Sequence, residues 1–293
     1  MDINILINNN KATFDKYYLS LLKNKLGDSI LSKAMIYGSM SGGKRIRPFL
    51  LYQASKIANI SKSNYLILAS CVESIHSYSL IHDDLPSMDN DDYRRGKLST
   101  HKKFNEATAI LAGDALHDLA FELISEKLTN VDNKKIVELI NFMSKSIGFD
   151  GLAGGQSLDL LYERKKIKQK KILEMYNKKT AKLFEFAFSS PFLISKNSKE
   201  LINFSKNYGS LYGLLFQIID DYIDEKKSFK QIGKTPGKDK KQQKSILMNY
   251  IGKKNIYEFC NYKINKFKKK YSKQIKLYPE LEEILFHCVK KLN

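Results

Sequence analysis

Apolar positions recur at three- and four-residue spacing almost from one end of the chain to the other. Phe14, Tyr17, Tyr18, Leu21, Leu22 and Leu26 trace one stripe, and Ile136, Leu139, Ile140, Met143 and Ile147 trace another. That is the spacing of one face of an α-helix. Unbroken patterns of the same kind cover residues 64–84, 104–128, 167–189 and 199–226. The five prolines (Pro48, Pro86, Pro191, Pro236 and Pro279) sit at or near the edges of such patterns, where a missing N–H is tolerated. Period-two alternation is rare. No repeat, linker or composition shift divides the chain. The pattern predicts an all-α protein, a single domain over residues 1–293, built as a bundle of about ten or more helices.

Composition changes this picture little. Apolar residues make up 43% of the 293, an ordinary globular share that excludes disordered and fibrous classes. Cys71, Cys260 and Cys288 are odd in number and far apart, so they predict neither a metal-ligand spacing nor a disulfide framework, and a reducing compartment. The first ten residues lack a basic leader with an apolar run, and no stretch approaches the roughly 18–20 apolar residues of a membrane span. The expectation is a cytoplasmic chain.

The net charge of +19 opens three possibilities: nucleic acid, an anionic membrane surface or an acidic substrate. Much of it lies in lysine-dense stretches, Glu163 to Lys171 and Lys266 to Lys276. Arginine is scarce there and no nucleic-acid module is recognisable. The stretches predict a solvated surface and no nucleic-acid partner, while still helping to steer anionic substrates.

Two acidic segments carry the strongest chemical signal. DDLPSMDNDDYRRG, from Asp83 to Gly96, places Asp83, Asp84 and Asp89 at the end of an apolar helical pattern. Carboxylates taken into a bundle need compensating cations. Hard oxygen donors without a cysteine or histidine pair favour magnesium, which also binds phosphates. On an ideal helix Asp83 and Asp89 would point about 120° apart, so the helix must bend or end between them, and Pro86 supplies the reason. In FQIIDDYID, from Phe216 to Asp224, three- and four-residue steps put Gln217, Asp220, Asp221 and Asp224 on one helix face. A further signal is GGKRIRP, Gly42 to Pro48, where paired glycines set Lys44, Arg45 and Arg47 at the start of a helix through Phe49 to Ile57. Backbone freedom at a helix N-terminus suits an anion.

Together these residues resemble the trans-isoprenyl diphosphate synthase family, the farnesyl and geranylgeranyl diphosphate synthases. The likeness runs from GGKRIRP to the lysines near Lys244, and is most specific in the run Asp83 to Leu116. It implies the isoprenoid synthase fold, with helices around a central catalytic cleft, a homodimer, and magnesium, three ions per loaded site, held by Asp83, Asp89 and Asp220. It implies that Gly43, Lys44, Arg47, His76 and Arg95 bind isopentenyl diphosphate. Around the allylic diphosphate it implies Arg94, Lys179, Thr180, Gln217, Lys234 and Lys244, with Asp83, Asp84, Asp89, Asp220, Arg94, Lys179 and Lys234 as the catalytic set. Lys234, Lys238 and Lys244 are expected in a lid over the leaving group, and Gln156 and Asp159 of GGQSLD are expected to shape the cleft. The implied reaction is ionisation of the allylic diphosphate, attack by the double bond of isopentenyl diphosphate, and loss of a proton.

Tyr78 and Ser79 lie five and four residues before Asp83, about 6–7.5 Å deeper along the helix. By resemblance, an aromatic at this offset with a DDxxxxD motif fits a fifteen-carbon product made from dimethylallyl or geranyl diphosphate. The alternatives are a geranylgeranyl diphosphate synthase and a non-catalytic synthase subunit. The chain departs from the family after Lys244, where Ser245, Ile246 and Leu247 stand in place of the frequent Thr-Tyr-Pro.

Overall fold

The computed structural model describes residues 2–226 and 246–292, and Lys234, Lys238, Lys244 and Ser245 lie outside them. Among the described residues the protein is all-α apart from one short hairpin. Its contacts gather into two compact units, one built from residues up to Ile140 and the other from Asn141 onward. Each is described in turn.

In the first unit the stripes become α1 (Ile3–Leu26), α2 (Ile30–Ser39), α3 (Ile46–Ala58), α4 (Lys62–Asp83), α5 (Thr100–Lys103) and α6 (Glu106–Lys127). α4 is the axis. It is buried on nearly every face, from Asn64 through Ile75 to Ile81, and α1, α2, α3 and α6 all pack against it. A helix apolar all round is buried all round. Ser61 starts α4 as its cap, accepting a hydrogen bond from the Asn64 amide at 3.1 Å. On α6, a Cβ at Gly113 would stand 2.1 Å from His82 Nε2, so only glycine lets the end of α4 approach so closely. Tyr93–Arg94 and Lys97–Leu98 form β1 and β2, paired Tyr93 to Leu98 and Arg94 to Lys97. The two linking residues, Arg95 and Gly96, both have positive φ (54° and 78°), the requirement of a type I′ turn. An arginine in this place is why the sequence pattern gave no hairpin signal.

α7 (Asn133–Ile147) crosses the boundary between the units. The second unit holds α8 (Leu152–Leu161), α9 (Gln169–Tyr176), a π turn (Asn177–Ala181), α10 (Lys182–Ile194) and α11 (Lys199–Lys226). α12 (Met248–Ile251), α13 (Ile256–Lys270), α14 (Ser272–Leu277) and α15 (Pro279–Val289) complete it. α10 and α11 pair through an aromatic core in which Phe188 and Tyr208 lie 4.3 Å apart and Phe204 meets Phe267 at 5.7 Å. Offset rings of this kind add to the burial of their area.

Two boundaries differ from expectation. The single pattern over residues 167–189 is interrupted by the π turn, and the helix then runs on through Pro191 instead of ending beside it. Pro191 cannot donate to the Ala187 carbonyl, and the Ser190 hydroxyl lies 3.5 Å from that oxygen instead. Among the described residues no helix is long and apolar enough to cross a membrane.

Candidate active site

Five of the expected residues in the first unit belong to one cationic turn and its neighbours. Gly42 and Gly43 have φ of 102° and 108°, and Arg45 follows at 52°, so the chain reverses sharply before α3. Lys44 is exposed and Arg47 half-buried. Arg95 lies over the paired glycines and donates through Nη1 to the Gly42 carbonyl. A Cβ at Gly43 would fall 2.5 Å from the Arg95 guanidinium carbon, so a side chain there would displace that arginine, and the φ of 108° favours glycine in any case. His76 on α4 is kept neutral: burial, then Arg47, Arg95, Arg45 and Arg94, hold its pKa well below the usual 6.5.

The first acidic segment begins where α4 stops. The helix ends at Asp83, with Asp84 as its cap, and the chain doubles back so that the Asp89 amide donates to the Asp83 carbonyl at 2.9 Å and the Asp91 amide to the Asp84 carbonyl at 3.1 Å. The break expected between Asp83 and Asp89 is present. Asp84 differs from its neighbours. It is 2% exposed, and Arg94 grips it, Nε donating to Oδ1 at 2.9 Å and to Oδ2 at 3.2 Å and Nη2 also donating to Oδ1. Burial raises the Asp84 pKa while Arg94 opposes that rise. Asp83 and Asp89 are half-buried.

Tyr78 stands edge-on to His82 at 5.6 Å and to His117 at 5.2 Å, and His117 in turn meets Phe121 at 5.2 Å. The aromatic therefore belongs to a rigid stack between α4 and α6. Its hydroxyl pKa is pushed up to about 12 by burial and then by Asp83. Ser79 is buried and donates to the His76 carbonyl at 2.9 Å.

In the second unit the expected residues fall on α8, the π turn and α11. Lys179 and Thr180 lie inside the π turn, a local widening of the helix that often marks functional positions. Gly155 makes the turn possible: a Cβ there would stand 2.0 Å from the Lys179 amide nitrogen. Lys179 Nζ donates to Asp159 Oδ2 at 2.5 Å, so Asp159 anchors the lysine that the sequence assigns to the diphosphate. Thr180 Oγ1 donates to Gln217 Oε1 at 2.5 Å, and Gln217 Nε2 to Asp221 Oδ1 at 2.7 Å. Along α11 Asp220 is exposed, Asp224 half-buried and Asp221 buried, and Asp221 is drawn into this chain of bonds. Lys234 and Lys244 are outside the described residues.

One member of the chain was not anticipated. The Tyr176 hydroxyl donates to Asp221 Oδ2 and accepts from the Leu247 amide at 2.9 Å. Burial, and then Asp221, raise its pKa well above the usual 10.0, so it stays a donor. Tyr176 ends the apolar stripe of α9 and reads as core in the sequence. Leu247 is the residue standing where the family often has proline, which has no N–H to give.

Among the described residues no three acidic, histidine or cysteine side chains are gathered closely enough to hold a metal ion by themselves. Magnesium does not require such a cage, since it commonly uses one or two carboxylates, waters and substrate phosphates. Asp83, Asp89 and Asp220 offer only carboxylate oxygens and fit that donor set.

The sequence profile described as Polyprenyl synthetase matches residues 28–277. The chain belongs to the polyprenyl synthetase family. A farnesyl diphosphate synthase of Micrococcus luteus is 38% identical over 260 residues, covering 87% of this chain and 89% of the relative. Geranylgeranyl pyrophosphate synthase 4 of Arabidopsis thaliana is 40% identical over 232 residues, covering 78% of this chain and 62% of the relative. A Helicobacter pylori geranyltransferase, solved in complex with magnesium and isoprenyl diphosphate, superposes with a TM-score of 0.82 at 31% identity, over 100% of this chain and 98% of that one. An FPP/GFPP synthase of Zymomonas mobilis gives 0.84 at 29% identity over the whole of both chains.

Two variants test the second-unit chemistry. Tyr176→Phe leaves a buried carboxylate and the Leu247 amide each short of a partner. It should cost about 1–3 kcal/mol, seen as a lower urea midpoint at unchanged slope; an unchanged midpoint removes Tyr176 from the network. The Gln156 side-chain nitrogen and oxygen are buried and have no partner among the described residues, which is costly in the free protein. Gln156→Met should therefore hold or raise the urea midpoint while lowering kcat/KM about tenfold or more. Lower stability with full activity would make Gln156 an ordinary core amide.

Proposed function

We propose that the protein is a magnesium-dependent farnesyl diphosphate synthase, joining isopentenyl diphosphate to dimethylallyl or geranyl diphosphate. One observation carries this function: the chain presents two kinds of phosphate-binding equipment. Lys44, Arg47, His76 and Arg95 surround a glycine turn with no carboxylate proposed as a ligand, which suits a diphosphate bound directly by cations. Asp83, Asp89 and Asp220 belong to aspartate-rich segments, which suit a diphosphate bound through magnesium. Two anionic substrates bound in different ways are what this condensation requires. The names carried by the relatives support the same conclusion.

Bound magnesium, about three ions per loaded site, would neutralise the departing diphosphate. Asp83, Asp89 and Asp220 would hold it. Asp84, itself gripped by Arg94, would hold that arginine toward the allylic diphosphate. Lys179, placed by Asp159, and Lys234 would add positive charge to the same leaving group. Lys244 would complete the allylic set, with Thr180 and Gln217 fixing its shape. Lys44, Arg47 and Arg95 would hold isopentenyl diphosphate so that its double bond meets the allylic carbon, with neutral His76 as a hydrogen-bonding partner. No side chain is assigned as the final base; the departed diphosphate takes the proton. The same proposal includes a single catalytic domain, a homodimer and a cytoplasmic location, each resting on the family resemblance.

Chain length follows from Tyr78. Held by His82 and His117, it would form a fixed floor that stops growth at fifteen carbons. Radiolabelled isopentenyl diphosphate should give a fifteen-carbon product from geranyl diphosphate only when magnesium is present, and Tyr78→Ala should shift product to twenty carbons or longer. A twenty-carbon product from the unaltered protein would make it a geranylgeranyl diphosphate synthase. Unchanged length in Tyr78→Ala would place the floor elsewhere, and absence of any product would leave a non-catalytic subunit.

A further inference from the structure

Arg45 lies between Lys44 and Arg47 in the cationic turn, yet the proposed chemistry gives it no part. Its side chain is 1% exposed. Nε donates to Asp15 Oδ1 at 2.7 Å, Nη1 donates to Glu73 Oε1, and Nη2 donates to the Ser39 carbonyl at 2.8 Å. The partners come from α1, α4 and the last residue of α2. Its backbone sits in the left-handed region, at φ 52° and ψ 44°, as the residue that opens α3. A residue with a side chain enters that region at a cost, so something must hold it there.

We propose that Arg45, clamped by Asp15 and Glu73, is the positioning residue of the isopentenyl diphosphate site. This rests on the function proposed above and adds to it a role for α1, which carries none of the substrate-binding residues. The three bonds fix Arg45 to three helices. The conformation so fixed sets the direction in which the adjoining Lys44 and the following Arg47 leave the turn. Glu73 lies three residues before His76 on α4, one helical turn away, so the same clamp ties the turn to the helix that carries His76. The charge arithmetic points the same way. Lys44, Arg47 and Arg95 already share a sign, and a further uncompensated arginine would disturb their balance. Asp15, which also pairs with Lys11, and Glu73, exposed by 20% and 3%, take up its charge.

The test compares Arg45→Met, Arg45→Lys and Asp15→Asn with the unaltered full chain. KM is measured for each substrate separately, and isopentenyl diphosphate binding is measured by calorimetry in EDTA, where carboxylate-held magnesium cannot contribute. Arg45→Met should raise the isopentenyl diphosphate KM and dissociation constant about tenfold or more, with the allylic KM within about twofold and kcat within about threefold. Asp15→Asn should move the same two quantities in the same direction by a smaller factor, and Arg45→Lys should recover part of the loss. If Arg45→Met fails to fold, Asp15→Asn, whose carboxylate is partly exposed, decides. Folded variants with a lower melting temperature but unaltered isopentenyl diphosphate affinity would make the clamp purely a fold element and overturn the proposal. Equal rises in both KM values would do the same. Should the unaltered chain form no product, the synthase proposal fails, while the calorimetric comparison still decides for or against Arg45.

Discussion

A charge removed from water must be met by an opposite charge or a set of hydrogen bonds, because breaking a buried ion pair by removing one partner costs about 3–5 kcal/mol. The polar architecture of this chain follows from that constraint. Arg45 is met by Asp15 and Glu73, Asp84 by Arg94, and Asp159 by Lys179. Each pair joins different elements, and beside each stands a neighbour of the site segments: Lys44 and Arg47 beside Arg45, Asp83 beside Asp84, Thr180 beside Lys179. In the first two groups the neighbour is more exposed than the buried member, whereas Thr180 is itself buried.

The same division explains the two acidic segments. Both contain adjacent aspartates, and in Asp83-Asp84 and Asp220-Asp221, unlike Asp91-Asp92, the second is buried and bonded within the protein: Asp84 by Arg94, Asp221 by Gln217 and Tyr176. The first of each pair is more exposed, Asp83 half-buried and Asp220 exposed. One aspartate anchors the segment and its neighbour remains accessible to a cation. The arrangement appears independently in each unit, at a helix end in one and within a helix in the other.

Much of this could be seen in the sequence. The stripes around Phe14 and Leu139 became helices because an apolar face has one period and must be buried. Asp83 and Asp89 were legible because six residues do not bring two side chains to one side of a helix, and the chain duly turns back between them. Partnerships were not legible. Nothing in residue spacing tells Arg45 from Lys44 and Arg47, or Asp84 from Asp83, since the difference lies in helices that meet only on folding for Arg45 and in a hairpin the pattern did not reveal for Asp84. Tyr176 was hidden for the same reason, its position on α9 being that of a core residue. The π turn and the Arg95-Gly96 hairpin escaped because local packing, at Gly155 and over Gly43, overrides weak local preference.

The division between anchoring and accessible aspartates is tested most directly by comparing Asp83→Asn with Asp84→Asn in magnesium-dependent binding of inorganic diphosphate, each variant accompanied by a urea melt. Asp83→Asn should raise the half-saturating magnesium concentration about tenfold or more with little change in urea midpoint, whereas Asp84→Asn should chiefly lower the midpoint. The reverse pattern, with Asp84→Asn stable but blind to magnesium and Asp83→Asn unstable, would contradict it.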